Sequence, residues 1–254
     1  MLERLRALFF FPIASAPYNR RMTWSIVARD ADGAFGVAVA SRFFAVGVHC
    51  PHARSGVGAV CTQALVNPHY GPRALDLLFD DVSPAEAVRR LADADDGRDH
   101  RQLHLIDNQG RVAAYTGTAC IGWCGHLAGA GFSVAGNMLA GAAVLEKTAL
   151  AFEKQNNLSF PERLIAALEA GEGAGGDKRG KQAAALLVYT TEDYPSLDLR
   201  VDDHAGPLGE LRRLYDKSLE RYQPFVRCLP SRARPAGITD RALIEDEIAR
   251  SQKS

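Results

Sequence analysis

Residues 22–42 read MTWSIVARDADGAFGVAVASR. Apolar and small residues alternate or cluster on both sides of Asp30-Ala31-Asp32-Gly33, a turn signal, so the stretch predicts a β-hairpin that begins at Thr23. Thr23 follows Met22. A small residue in second position is what methionine-removing enzymes tolerate, so a chain translated from Met22 exposes Thr23 with a free α-amine. A threonine hydroxyl is a weak nucleophile alone, but its own terminal amine can serve as the adjacent base.

Working outward, the 254 residues are 47% hydrophobic, enough to bury a sizeable core, and predict one large domain with short terminal additions. Thirty basic residues balance thirty acidic ones, leaving no net field for nucleic acid, and no basic or aromatic-basic stripe is present. No membrane partner is expected. The five cysteines, Cys50, Cys61, Cys120, Cys124 and Cys228, are odd in number and lie mainly in apolar or glycine-rich surroundings. That fits reduced thiols in the cytoplasm rather than a disulfide framework. Cys120, Cys124 and His126 come nearest to a zinc pattern but lack a recognisable second ligand pair, so neither metal nor cofactor is expected.

Residues 1–21 differ from the rest, with Arg4 and Arg6 ahead of the apolar run Ala7 to Ala16, which is too short to span a membrane. The alternatives are a leader or propeptide removed to free Thr23, a physiological start at Met22, or an export signal ending at Ala14-Ser15-Ala16, where Pro17 is a poor cleavage context. The main domain is predicted over 22–223 and a peripheral tail with a short helix over 224–254. After the hairpin, Val48 to Arg54 reads as turn-rich, and Gly56 to Ala64 as a buried strand. Helices are predicted over Tyr70 to Phe79 and Ser83 to Ala92, the second with Ser83 as cap and Pro84 at its first position. Gln102 to Ile106 and Arg111 to Thr116 flank Asp107-Asn108-Gln109-Gly110 as a second hairpin. A short strand at Phe132 to Ala135, helices over Leu139 to Lys154 and Phe160 to Ala170, and a polar loop at Gly175 to Gln182 follow. Strands at Ala183 to Tyr189 and Leu197 to Val201, a helix over Pro207 to Tyr222 and a last helix over Thr239 to Ala249 complete the chain.

This order of elements is that of an α+β four-layer αββα sandwich. From Met22 to Tyr215 the chain resembles a bacterial family of unknown function assigned to the N-terminal nucleophile hydrolase superfamily, whose members begin M-T-x-S-I-V-A-R-D. The marks are Thr23 to Asp30, Gly56 to Val60 with Thr62-Gln63-Ala64, Asn67 to Pro72, His100 to Leu103, Gly136 to Leu139, Gly175 to Gly180 and Val201 to His204. It is distantly similar to proteasome-type subunits. That resemblance implies Thr23 as nucleophile, Ser41-Arg42 where an Asp-Ser-Arg segment would fall with the aspartate missing, Arg54 near the position of a lysine, and Asp177 as the aspartate before a later strand. An arginine there stays protonated, so the α-amine is left as base.

The residues themselves leave alternatives open. Thr62 and Gln63 offer donors for a developing oxyanion, or are a polar pair ending a strand. Asn137 is a site residue or the cap of the following helix. Lys178 and Arg179 hold a substrate carboxylate, or belong to a solvated loop. His49, His52 and His69 flank the cleft, and a pair of one of them with Cys50 or Cys61 is the minor alternative nucleophile. The expected activity is hydrolysis of a small amide or peptide-like molecule; the alternative is a ligand-binding protein that kept the fold and lost the chemistry. Apolar sandwich surfaces are compatible with a homo-oligomer.

Overall fold

The computed structural model describes residues 23–176 and 181–252. The leader expected over 1–21 lies outside them, as do Asp177, Lys178 and Arg179. The opening hairpin forms as its pattern predicts, with β1 at Thr23–Arg29 and β2 at Phe35–Ser41 in unbroken antiparallel register from Thr23↔Ser41 to Arg29↔Phe35. Its turn is closed by Asp30 N–H to Ala34 O at 2.8 Å and Gly33 N–H to Asp30 O at 3.0 Å. Gly33 has φ 86°, a conformation that suits glycine because it has no Cβ.

Among the described residues eight further strands follow: β3 (Pro51–Arg54), β4 (Gly58–Ala64), β5 (Arg101–Asp107), β6 (Val112–Thr116), β7 (Trp123–Gly129), β8 (Phe132–Leu139), β9 (Ala183–Tyr189) and β10 (Leu197–Val201). They make two antiparallel sheets, ordered β10-β9-β2-β1-β8-β7 and β3-β4-β5-β6. Helices α1 (Tyr70–Phe79) and α2 (Pro84–Asp93) cover the outer face of the smaller sheet, while α3 (Ala143–Lys154), α4 (Phe160–Gly173) and α5 (Pro207–Glu220) cover that of the larger. The expected four-layer α+β sandwich is the architecture observed.

Side-chain alternation along the strands separates the layers. In β1, Trp24, Ile26 and Ala28 join the core beneath α3 to α5, whereas Val27 packs between the sheets with Phe35, Val37 and Val39 of β2. Val60, Leu103 and Leu105 face α1 and α2. Ser83 caps α2 by accepting from Glu86 N–H at 3.4 Å, with Pro84 at the first helical position.

Several boundaries depart from expectation. The turn-rich Val48 to Arg54 contains β3, and the glycine-rich Trp123 segment is a full edge strand. The predicted helix at Leu139 starts only at Ala143, because β8 runs through Leu139 and Asn137 sits inside that strand. Asn137 is therefore no helix cap. The Pro207 helix breaks at Arg221, after which α6 (Tyr222–Val226) and α7 (Arg241–Ser251) pack in sequence on α5. The tail is tied back by Arg227–Glu247 at 2.9 Å and Tyr194 Oη–H to Pro230 O at 2.6 Å. Among the described residues, no helix is long and apolar enough to cross a membrane.

Candidate functional site

The space between the sheets has two characters. One half is the apolar cluster around Val27, Phe35 and Val37. The other, at the Thr23 end, is filled with buried polar side chains: Thr23, Ser25, Ser41, Gln63, Gln102, His104, Ser133 and Asn137. Such residues are tolerated in a core only when hydrogen-bonded.

Thr23 opens β1 between two neighbours in register, Ser41 on β2 and Asn137 on β8. Thr23 Oγ1 lies 2.9 Å from Ser41 Oγ, which also accepts from Phe43 N–H at 3.1 Å. Two residues along the same face, Ser25 Oγ lies 2.7 Å from Gln63 Oε1 and 2.8 Å from His104 Nε2. Gln63 Nε2 donates to Gln102 Oε1 at 2.6 Å, and Asn137 Nδ2 donates to the same oxygen at 3.2 Å. Gln102 Nε2 is 3.0 Å from Gly125 O, 2.9 Å from Gly136 O and 2.9 Å from Thr116 Oγ1.

These contacts dictate where the protons are. Backbone carbonyls only accept, so the end of Gln102 facing Gly125 and Gly136 must be its NH2 group, and its oxygen must receive Gln63 and Asn137. Gln63 then turns its oxygen to the Ser25 hydroxyl, which donates to it. His104 Nε2–H must donate to Ser25 Oγ, leaving Nδ1 to accept from Ser133 Oγ–H at 3.2 Å. Burial, reinforced by nearby His126, lowers the His104 pKa to about 3, so the ring is neutral near pH 7. Ser25 and His104 therefore resemble a serine–base pair in distance but not in proton direction. His104 points a proton at Ser25 and cannot take one from it.

The candidates named from sequence separate in the structure. Thr23, Ser41, Gln63 and Asn137 share the polar end of the inter-sheet layer. Thr62 does not: neighbouring strand residues face opposite sides, so its side chain points into the α1/α2 layer while its N–H donates to Cys50 O at 3.0 Å. Among the described residues its buried hydroxyl has no hydrogen-bond partner. Gln63 Nε2 gives one hydrogen to Gln102 Oε1 and carries a second, whereas the Thr62 N–H is committed to Cys50 O, so of the expected Thr62–Gln63 oxyanion pair Gln63 alone keeps a donor. Arg54 is on β3, paired with Asp76 at 2.9 Å, and lines a separate cleft of about 380 Å³ with Pro51, His52, Leu187, Tyr189 and Arg200. Leu187 is four residues along β9 from Ala183, the partner of Ser41, or roughly 13 Å at the rise of a strand.

The cysteine alternative meets unfavourable electrostatics. Burial pushes Cys61 up to about 12 and raises Cys50 as well, so both are thiols near pH 7. Among the described residues, no group of three or more His, Cys, Asp or Glu side chains is arranged to hold a metal.

Sequence reasoning missed Ser25, Gln102, His104 and Ser133. The available signal was polar residues at period two, Gln102 and His104 on one strand and Ser133 with Asn137 on another, at inward positions of otherwise apolar strands. It also missed Asp95, which holds the segment beyond Gln63. Asp95 accepts from Asn67 Nδ2 at 3.0 Å, Tyr70 Oη–H at 2.8 Å, Arg101 Nε at 3.1 Å and Gly97 N–H at 2.8 Å. These donors overcome the opposing effect of desolvation and hold its carboxyl well below the usual carboxylate range.

A search of curated proteins found no match. Among solved structures, a crystal structure of a DUF1028 protein from Silicibacter pomeroyi is similar with 34% identity and a TM-score of 0.80, covering 86% of this chain and 96% of that one. Anbu, an ancestral β-subunit from Yersinia bercovieri, aligns at 13% identity and a TM-score of 0.36 over 77% of this chain and 94% of its own. The model of DUF1028, a family of unknown function, matches residues 23–211, and the chain belongs to that family.

Proposed function

We propose that this protein hydrolyses a small amide through Thr23 acting as an N-terminal nucleophile. The observation that carries the reading is the position of Thr23: first residue of the central strand β1, its Oγ1 2.9 Å from Ser41 Oγ, beside the polar half of the inter-sheet layer. In a chain beginning at Thr23, the α-amine takes the hydroxyl proton as Oγ1 bonds to the amide carbonyl carbon. The C–N bond then breaks, the proton passes to the leaving amine, and water cleaves the resulting ester to release a carboxylic acid and restore the threonine.

Asn137, across the strand from Thr23, supports the reading, because its Nδ2 carries a second hydrogen beyond the one given to Gln102. It is the donor we assign to the developing oxyanion, with Ser41 orienting the Thr23 hydroxyl. Asp177 keeps the role the family resemblance implies for it, and Lys178 and Arg179 are assigned from their charge to a substrate carboxylate.

The test is hydrolysis of a panel of acyl amides by protein whose first residue, by intact mass, is Thr23, compared with Thr23→Ala. Hydrolysis that falls at least about a thousandfold in the variant, as expected for a nucleophile, supports the mechanism. Undiminished hydrolysis in Thr23→Ala refutes it, and binding without turnover in both proteins favours the ligand-binding alternative.

A further inference from the structure

We propose that the cleft between β3 and the β9–β10 edge is a second small-molecule site, which takes a monocarboxylate with an apolar body. The proposal stands whether or not Thr23 is a nucleophile. The cleft follows from the unequal width of the two sheets. β3 ends the smaller sheet and packs on β2 and β9, so β10, the next strand out in the larger sheet, carries its inner face past the smaller one. Leu197 and Val201 of β10 lie in the core beneath the helices, and strand alternation turns Asp198 and Arg200 the other way, to line the cleft beside Leu187 and Tyr189 of β9. Pro51 and Arg54 of β3 and Leu75 of α1 supply the facing wall.

The walls are tied at both ends. Ser55 Oγ–H, next to Arg54, donates to Thr190 O, next to Tyr189, at 2.7 Å. Ala45 N–H, just ahead of the turn that carries Gly47, donates to Asp202 O at 3.0 Å. A Cβ on Gly47 would lie 2.7 Å from Ala185 Cβ and 3.0 Å from Cγ and Cδ of Arg200, so bare backbone packs against the arginine stem and fixes it. At about 380 Å³, this preformed cleft suits a ligand at the small end of the usual range.

Its polar points are cationic and its walls apolar. Among the described residues, Arg54 gives one hydrogen bond, to Asp76, Arg200 gives none, since its ion pair with Asp198 spans 3.9 Å, and Tyr189 Oη has no partner. Most N–H groups of two guanidiniums thus remain to hold an oxyanion. His52 adds no charge: burial lowers its pKa, and its Nε2–H donates to His49 O at 3.2 Å. Pro51, Leu75 and Leu187, buried or half-buried, offer surface to the ligand's body. Asp198 selects among anions. A monocarboxylate meets two cations against one anion, whereas the second charge of a phosphate is repelled by Asp198.

The experiment is NMR titration of the isotope-labelled full chain with acetate, hexanoate, hexanamide and inorganic phosphate. Hexanoate should bind with Kd on the order of 1 mM, the affinity open to so small a ligand, and shift the amides of Gly47, Arg54 and Tyr189. Acetate, which lacks the chain, and hexanamide, which lacks the charge, should each bind about tenfold more weakly or worse. Arg54→Gln and Arg200→Gln should each weaken hexanoate about three- to tenfold and leave hexanamide unchanged. Both arginine side chains are largely in water, 40% and 45% exposed, so these variants keep the fold, and the comparison of hexanoate with hexanamide on the wild type decides without them. No saturation by hexanoate at about 20 mM, equal affinity for hexanamide, or tighter binding of phosphate would overturn the proposal. So would shifts centred on Thr23 and Asn137, which would place the carboxylate at the other end of the sheets.

Discussion

Gln102→Leu tests whether the inter-sheet network holds the site together. Gln102 is fully buried and reaches across to the other sheet, where the β7–β8 register shifts between Trp123 and Gly125. Its amide satisfies Gly125 O and Gly136 O just past that irregularity, and receives Gln63 Nε2 and Asn137 Nδ2. Leucine is similar in size but leaves these four groups, and Thr116 Oγ1 besides, without this partner. At about 1–3 kcal/mol for each buried group left unsatisfied, offset in part by added apolar burial, the net loss is expected near 4 kcal/mol. That is a large share of the stability of an ordinary domain. Urea unfolding at pH 7 measures it. Gln102→Glu adds a directional check: a carboxylate cannot donate to the two carbonyls, so the folded state favours the protonated acid and the folded pKa is raised. Its network contribution is therefore retained at acid pH and lost as pH rises through the ordinary glutamate range and the raised folded pKa. A loss below about 1 kcal/mol in Gln102→Leu, with an unchanged m-value, would refute the proton assignment as an energetic feature.

Two further outcomes concern charge. His104 has its pKa lowered from 6.5 to about 3, so between those values the unfolded chain binds the extra proton and the folded one does not. Stability is fully present above about pH 6.5 and declines by on the order of 4 kcal/mol as pH falls toward 3; His104→Asn should flatten that part of the profile in acid-dependent urea titrations. Asp95→Ala removes the acceptor of four hydrogen bonds and should cost roughly 2–3 kcal/mol while speeding amide exchange at Leu65 and Tyr70. Because its folded pKa is lowered, the Asp95 contribution is present above the ordinary aspartate range and lost as pH falls through the folded value. Exchange at Leu65 equal to wild type would show that Asp95 does not hold that segment.

Strands and helices with strong periodicity were legible in the chain. The alternation in Thr23 to Arg29 and Phe35 to Ser41, and the Ser83-Pro84 start of α2, are local signals, and each element formed where its pattern placed it. The edge strands β3 and β7 were not legible, because proline, histidine and glycine dominate them and their pairing is set by the neighbouring strand. Asn137 is instructive. Beside a glycine and ahead of a helical pattern it reads as a cap, yet pairing with Thr23 keeps it in the sheet, and the turn to α3 follows only after the left-handed Met138.

By itself the sequence determined the layered α+β architecture and the place of Thr23 at the head of its first strand, since both follow from local periodicity and turn chemistry. Tertiary structure decided which candidates share a site. Strand alternation turned Thr62 away from its neighbour Gln63, and the stacking of two sheets brought Gln102 of one to Gly125, Gly136 and Asn137 of the other. It also carried Arg54 to a different cleft. The proton direction along the network, and with it the exclusion of His104 as a base toward Ser25, depends on carbonyls that only the packed sheets bring within reach.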